Sequence, residues 1–344
     1  MLSNDMMDDF TRSLRDALAP AYELQRELTG GGMSRVYVAT ERALQRTVVV
    51  KVLPPELAAG VNRDRFRREI QLAAQLQHPH IVPLHSAGES GELLWYTMPY
   101  IEGASLRESI AKQARFAPKD VIRILHDVLD ALAYAHDRGV IHRDIKPGNI
   151  LRSGTHAVVT DFGVAKAISA ALPAAGMTTT GAAIGTPAYM APEQLAGDPS
   201  ADHRVDLYAA GLLAYELLTG QAPFVGSSPQ AMLAAQLTVT PQPVDQLRPD
   251  CPAEFARLID QLLAKQAADR PQSAREAQAA LDAIPISFSG ERTGTMPIPA
   301  VPAQRPWALV AAVASIAAVL AVVWATTRSA PPAPEPPRPD SMAV

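Results

Sequence analysis

The stretch HRDIKPGN at residues 142–149, with DFG following at 161–163, is the part of this sequence that decides its fold. Asp144 in the first stretch offers a carboxylate that can accept a proton from a hydroxyl group. Asn149 and Asp161 offer amide and carboxylate oxygens, which are the hard ligands that Mg²⁺ prefers. The combination places one possible proton acceptor and two possible cation ligands close together in the chain.

Both stretches match signature blocks of protein kinases, and the other blocks follow in the expected order. Residues 22–284 closely resemble the eukaryotic-like Ser/Thr protein kinases of bacteria, including those with a single transmembrane helix. The resemblance implies an α+β, bilobal protein-kinase fold with a strand-rich N-terminal lobe and a helical C-terminal lobe. It also implies that ATP and Mg²⁺ are used, with Mn²⁺ as an alternative metal, to phosphorylate Ser or Thr hydroxyls of protein substrates.

The same resemblance implies the roles of the catalytic residues. Asp144 would accept the proton of the attacking hydroxyl, and Lys146 would neutralise the γ-phosphoryl group. Lys51 lies in VVVKVL, a β-branched run typical of a central strand, and would reach the α- and β-phosphates. Glu69, on the helix predicted for residues 63–76, would hold Lys51 in place. The implied Mg²⁺ ligands are Asn149 and Asp161.

The glycine-rich loop departs from the family pattern G-x-G-x-x-G-x-V. The aligned stretch is TGGGMSRV at 29–36, so Thr29 stands at the first glycine and Ser34 at the third. The three glycines between them still give the backbone the freedom to bring N–H groups close to phosphates. We therefore expect ATP binding to be retained.

The adenine pocket is predicted from YTMPYIEG at 96–103. Met98 falls at the position that closes the back of the pocket, while Pro99 keeps its carbonyl and Ile101 its N–H for the base. Apolar side chains above and below the base complete the pocket. The full set predicted to bind the nucleotide is Leu28, Thr29, Gly30, Gly31, Gly32, Met33, Ser34, Val36, Val49, Lys51, Met98, Pro99, Ile101 and Leu151.

The segment between DFG and APE (191–193) contains MTTTGAAIGTPAYM, which is typical of a platform for a protein substrate. Thr186 resembles the threonine of Ser/Thr-specific enzymes. Thr178 and Thr180 match the phosphorylation sites of bacterial relatives best, and we expect them to be autophosphorylated. A phosphate there would pair with Arg143, beside the catalytic base.

The chain beyond the kinase region changes character. Residues 307–327 run without a charge, which is long enough for a membrane span of about 20 residues. We therefore expect single-pass attachment to the cell membrane, with the kinase domain in the cytoplasm, where ATP is found. The other predicted segments are an N-terminal extension at 1–21 with a short helix over 8–19, a Pro-rich linker at 285–306 and a disordered Pro-rich tail at 328–344.

Composition excludes several other classes. One cysteine, Cys251, rules out an intramolecular disulfide framework, and a net charge of -4 without a long basic run gives no footprint for nucleic acid. We interpret His78, His80 and His85 as a connection between a helix and a strand rather than a metal site.

The alternatives to a Ser/Thr protein kinase are a nucleotide-binding pseudokinase scaffold, which only Thr29 favours, a small-molecule kinase and a Tyr kinase. Homodimers, known in the family, are left open.

Overall fold

The computed structural model describes residues 2–28, 34–53, 58, 62–113, 115–163, 187–224 and 228–285. Most of the glycine-rich loop, most of the activation segment and the segments predicted at 307–327 and 328–344 therefore lie outside the described residues. Within the described part of the chain, no helix combines the length and the apolar character needed to cross a membrane.

A five-stranded antiparallel sheet forms the N-terminal lobe, in the strand order β1-β2-β3-β5-β4. Its register sets Lys51 on β3 opposite Val36 on one side and Tyr96 on the other. These three residues therefore lie in one row across the sheet. The strands are β1 (Tyr22–Leu28), β2 (Arg35–Glu41), β3 (Arg46–Val52), β4 (Ser86–Ser90) and β5 (Leu93–Pro99).

The two faces of this sheet pack against different helices, because successive side chains of a strand point to opposite faces. On β3, Val48 and Val50 pack with Leu14 and Leu18 of α1 (Leu2–Leu18), which are 0% and 1% exposed. The short helix predicted over 8–19 is therefore confirmed, and it begins earlier than expected. The opposite face, which carries Lys51, packs with Phe66 and Ile70 of α2 (Arg63–Ala73).

The C-terminal lobe is helical, and its core is built from α4 and α6. Helix α6 is buried from Val205 to Thr219, as expected of a helix enclosed by others, and Gly211 lets it approach α9 closely. A Cβ atom added at Gly211 would lie 2.8 Å from the Leu262 Cβ. The helices are α3 (Leu106–Lys112), α4 (Pro118–His136), α5 (Pro192–Leu195), α6 (Arg204–Thr219), α7 (Pro229–Thr238), α8 (Val244–Leu247), α9 (Ala253–Leu262) and α10 (Ala274–Asp282).

A hairpin of β6 (Ile150–Ser153) and β7 (His156–Val159) joins the two lobes. The Val159 N–H donates to the carbonyl of His80 at 2.9 Å, and the Val82 N–H donates to the carbonyl of Val159 at 2.8 Å. The hairpin thus holds the segment that follows α2. Because it starts directly after Asn149 and ends just before Asp161, it also positions the site between the lobes. The predicted α+β, bilobal architecture is confirmed.

Candidate active site

Asp206, a residue of α6 that is 1% exposed, holds the loop that carries Asp144 in place. Its carboxylate accepts hydrogen bonds from the backbone N–H groups of His142 and Arg143 at 2.8 and 2.7 Å, and it contacts the His136 ring at 2.9 Å. Burial would raise the pKa of Asp206, but these partners outweigh it and lower the pKa. A buried anion therefore holds the loop.

Asp144 lies in a small polar group with two other predicted site residues. Lys146 Nζ lies 2.8 Å from Asp144 Oδ2, and the Asn149 side-chain amide donates to the same oxygen at 2.8 Å. The Asn149 amide also donates to the Asp144 carbonyl at 2.8 Å. Because these bonds use the amide nitrogen, the Asn149 carbonyl oxygen is the atom suited to a cation. The structure therefore brings all three residues together.

Asp161 forms the other half of the site, on a backbone with φ of 70°, a conformation that non-glycine residues adopt rarely. Its Oδ2 pairs with Lys51 Nζ, and its Oδ1 accepts a hydrogen bond from the Tyr96 hydroxyl at 3.1 Å. Burial acts to raise the pKa of Asp161, but the charge and hydrogen bond of Lys51 lower it overall. The side chain is therefore a carboxylate, ready to bind a cation.

Tyr96 is a residue of this site that the sequence analysis does not assign. It is 1% exposed, and burial together with the nearby Asp161 carboxylate raises its pKa well above the usual value. The hydroxyl therefore keeps its proton and donates a hydrogen bond to Asp161. The sequence of β5 could have indicated Tyr96 as a site residue, because Tyr96 is two residues from Met98 and therefore lies on the same face of the sheet.

Glu69 lies on α2 and is partly buried. The same helix packs against the last residue of DFG: a Cβ atom added at Gly163 would lie 3.2 Å from the Ala73 Cβ and 3.8 Å from the Glu69 carbonyl oxygen. Helix α2 and the Asp161 loop are thus in direct contact. The structure pairs Lys51 with Asp161, and the ion pair between Lys51 and Glu69 stays a prediction.

The predicted adenine pocket has an apolar wall from the sheet. Val36, Val49 and Met98 are buried in one cluster, at the edge of which Leu28 and Ile101 are partly buried. Of the other predicted residues, Pro99 ends β5, while Leu151 on β6 and Ser34 just before β2 are partly buried. The remaining ones lie outside the described residues: Thr29, Gly30, Gly31, Gly32 and Met33. An apolar wall beside oxygen ligands and a lysine suits a nucleotide with its metal ion.

The end of the activation segment is fixed by a buried ion pair. Both terminal guanidinium nitrogens of Arg270 donate to the Glu193 carboxylate, at 2.6 and 2.8 Å, and the Arg270 side chain has no exposed surface. Nearby, Glu216 accepts hydrogen bonds from the Tyr189 hydroxyl and from Arg107, a network that the sequence analysis does not contain. Thr178, Thr180 and Thr186 lie outside the described residues.

A lysine on a central strand faces the DFG carboxylate, and across the cleft between the lobes lies an aspartate held by an asparagine. This is the arrangement of a protein kinase. The protein kinase domain model matches residues 22–281, and the chain therefore belongs to the protein kinase domain family. The family resemblance read from the sequence is confirmed.

The chain is similar to protein kinases of bacteria. The chain is 41% identical over 270 residues to the serine/threonine-protein kinase PknB of Mycobacterium leprae, an alignment that covers 77% of this chain and 43% of that protein. It is 39% identical over 277 residues to a probable serine/threonine-protein kinase, CE0033, of Corynebacterium efficiens, covering 78% and 42%. The aligned region thus spans less than half the length of these relatives.

A solved structure shares the fold. The crystal structure of Rad53 1–466 in complex with AMP-PNP has a TM-score of 0.62 and 27% sequence identity with this chain. The match covers 79% of this chain and 68% of the Rad53 chain. Protein kinases generally use ATP with Mg²⁺, and this relative is recorded with an ATP analogue.

Proposed function

We propose that this chain is an ATP-dependent Ser/Thr protein kinase, which transfers the γ-phosphoryl group of ATP to Ser or Thr hydroxyls of proteins. The observation that carries the proposal is the grouping of Asp144, Lys146 and Asn149 at 2.8 Å beside Asp161. The relatives named as serine/threonine-protein kinases, about 40% identical, support the same activity.

In the reaction, Asp144 accepts the proton of the substrate hydroxyl while the oxygen of that hydroxyl bonds to the γ-phosphorus. The bond between the γ-phosphorus and the β-phosphate oxygen breaks, and ADP leaves. Both described side-chain contacts of Asp144 use Oδ2, so we assign Oδ1 to the hydroxyl proton. Lys146, held against Asp144, neutralises the transferred group. General-base catalysis of this kind contributes about 10²–10⁴-fold to the rate.

The nucleotide and its metal would be held by the residues around Asp161. The Asn149 carbonyl oxygen and the Asp161 carboxylate would bind Mg²⁺, or Mn²⁺, which when bound neutralises charge on the phosphate oxygens. Lys51 lies beside Asp161 and would serve the α- and β-phosphates, with Glu69 as its support. Val36, Val49, Met98 and Leu151 would enclose the base.

We further propose that the kinase activates itself by phosphorylating Thr178 and Thr180. Arg143, directly before Asp144, has a buried Nε atom for which the described residues provide no hydrogen-bond acceptor. Buried polar groups are rarely left unpaired, and a phosphate oxygen is a strong acceptor for a guanidinium group. A phosphorylated threonine would supply that acceptor and fix the activation segment beside the base.

We also propose that residues 307–327 anchor the protein in the cell membrane, with residues 22–284 in the cytoplasm and 285–306 as a linker. The uncharged run and the tryptophans near its ends, Trp307 and Trp324, support this. Fractionation of cells that express the full chain tests the anchor. The full chain should be found in the membrane fraction, and a chain ending at residue 306 should not; equal distribution of both would contradict the proposal.

The activity is tested with the full chain purified in detergent. Wild-type protein should incorporate phosphate from Mg·ATP, and mass spectrometry should locate it on Thr178 and Thr180, with transfer to a generic Ser/Thr substrate. Asp144→Asn should abolish incorporation, whereas the matched control Asp64→Asn, a carboxyl group 84% exposed, should retain it. Nucleotide binding without any incorporation in the wild type would refute the proposal in favour of a pseudokinase scaffold.

A further inference from the structure

Outside the nucleotide site, the structure gathers two imidazoles and a carboxylate from three separate segments. His80 lies in the connection between α2 and β4, Asp127 lies on α4, and His156 begins β7. His80 Nε2 is 3.5 Å from Asp127 Oδ1, and His156 Nδ1 is 3.4 Å from Asp127 Oδ2. One ligand atom from each of the three residues can be chosen so that all lie within 4.8 Å of one another.

Hydrogen bonds to Ala157 fix the orientation of the His80 and Asp127 side chains within the cluster. The His80 Nδ1 atom is 2.9 Å from the carbonyl oxygen of Ala157, so it carries the proton and leaves the lone pair of Nε2 toward Asp127. A metal-binding histidine typically has this second hydrogen bond to a carbonyl or carboxylate. The Asp127 Oδ2 atom accepts the Ala157 N–H at 2.8 Å, which orients the carboxylate.

The charge of Asp127 also favours a bound cation. Asp127 is 4% exposed, and buried carboxylates require a compensating charge. The groups described within 4 Å of its carboxylate oxygens are the Ala157 N–H and three imidazoles, those of His80, His156 and His126, whose Nδ1 is 3.9 Å from Oδ1. A cation held between these imidazoles and the carboxylate would supply a compensating charge.

We propose that His80, Asp127 and His156 form a zinc site. Two imidazole nitrogens and one carboxylate oxygen are a typical ligand set for Zn²⁺, at about 2.0–2.2 Å from the metal. Tetrahedral ligands at that distance are about 3.3–3.6 Å from each other. The separations of 3.5 and 3.4 Å, which involve different oxygens of Asp127, fall within that range. Mg²⁺ prefers oxygen ligands, so this ligand set differs in kind from that of the nucleotide site.

The site would connect parts of the molecule that the kinase reaction depends on. His80 belongs to the segment that follows α2, and His156 belongs to the hairpin that runs between Asn149 and Asp161. Zinc would therefore fasten the N-terminal lobe to α4 and to the hairpin. The sequence analysis assigns no metal to His78, His80 and His85, and the structure brings together a different set, in which only His80 takes part.

The test is calorimetric titration of Zn²⁺ into the full chain, purified without a histidine tag, treated with a chelator and kept in excess Mg²⁺ to occupy the nucleotide site. We expect one equivalent of Zn²⁺ to bind. His156→Ala should weaken it by roughly 100-fold or more, since loss of a supporting residue around a metal already costs about 10–100-fold. His156 is exposed and its replacement keeps the core intact.

Two comparisons make the result specific. His85→Ala changes a neighbouring exposed histidine outside the cluster and should leave Zn²⁺ affinity unchanged. Asp127→Asn should also weaken binding, and the melting temperature of the wild type, but not of His156→Ala, should rise with Zn²⁺. Zn²⁺ binding that is absent, or that is the same in His156→Ala as in the wild type, would overturn the proposal.

Discussion

Replacing Tyr96 by phenylalanine removes one hydroxyl group and nothing else from the site. That hydroxyl donates to Asp161 Oδ1 at 3.1 Å, while Lys51 pairs with Oδ2. A hydrogen bond to a charged group contributes about 1.5–3 kcal/mol, and this long one belongs at the lower end. Since about 1.4 kcal/mol is a factor of ten, we expect Tyr96→Phe to require roughly tenfold more Mg²⁺ for half-maximal activity.

The assay is the initial rate of phosphate transfer as a function of free Mg²⁺ at saturating ATP, together with the melting temperature. Tyr37→Phe is the matched control, because Tyr37 is also buried in the same sheet but lies on the face that packs against α1. Its Mg²⁺ dependence should equal that of the wild type. A lower melting temperature for Tyr96→Phe with an unchanged Mg²⁺ requirement would show that the hydroxyl stabilises the fold without positioning Asp161, and would refute the reasoning.

Three further predictions concern stability, each measured by denaturant unfolding. Arg270→Met should cost about 3–5 kcal/mol, because it leaves the Glu193 carboxylate without its buried partner; a loss below 1 kcal/mol would contradict this. The pKa of Asp206 is lowered in the fold, so its contribution is complete above the ordinary pKa of 3.8 and is lost as the pH falls further. Wild type should therefore lose more stability between pH 5 and 3 than Asp206→Asn, and equal losses would be inconsistent with that role. Leu14→Ala should cost about 2–5 kcal/mol and Leu44→Ala, at a 63% exposed residue, less than about 0.5 kcal/mol; equal effects would argue against the packing of α1.

The fold was predictable from the sequence because its strands and helices carry strong local patterns. The β-branched run around Lys51 alternates between two buried faces, and the helix predicted for residues 63–76 is observed at Arg63–Ala73. The grouping of Asp144, Lys146 and Asn149 was also predictable, since all three residues belong to one family motif. In each case the information is contained in adjacent residues or in a known pattern.

The contacts that the sequence did not reveal join residues far apart in the chain. Tyr96 and Asp161 are 65 positions apart and meet only after β5 pairs with β3 and the two lobes close on each other. His80 and Asp127 meet because the β6–β7 hairpin holds the segment after α2 against α4. A histidine or tyrosine in such a segment has no local pattern that identifies its partner. Spacing along the chain grouped His80 with His78 and His85, whereas the structure places it beside Asp127 and His156.

The position of α1 has a practical consequence for anyone who shortens this chain. The family model begins at residue 22, which invites an expression fragment starting there. Such a fragment would uncover Tyr37, Val48, Val50 and Val52, a contiguous apolar surface that α1 covers with Leu14 and Leu18. Exposed apolar patches of this kind promote association between molecules. Dimers or aggregates of a fragment starting at residue 22 would therefore report the missing helix rather than a property of the intact kinase.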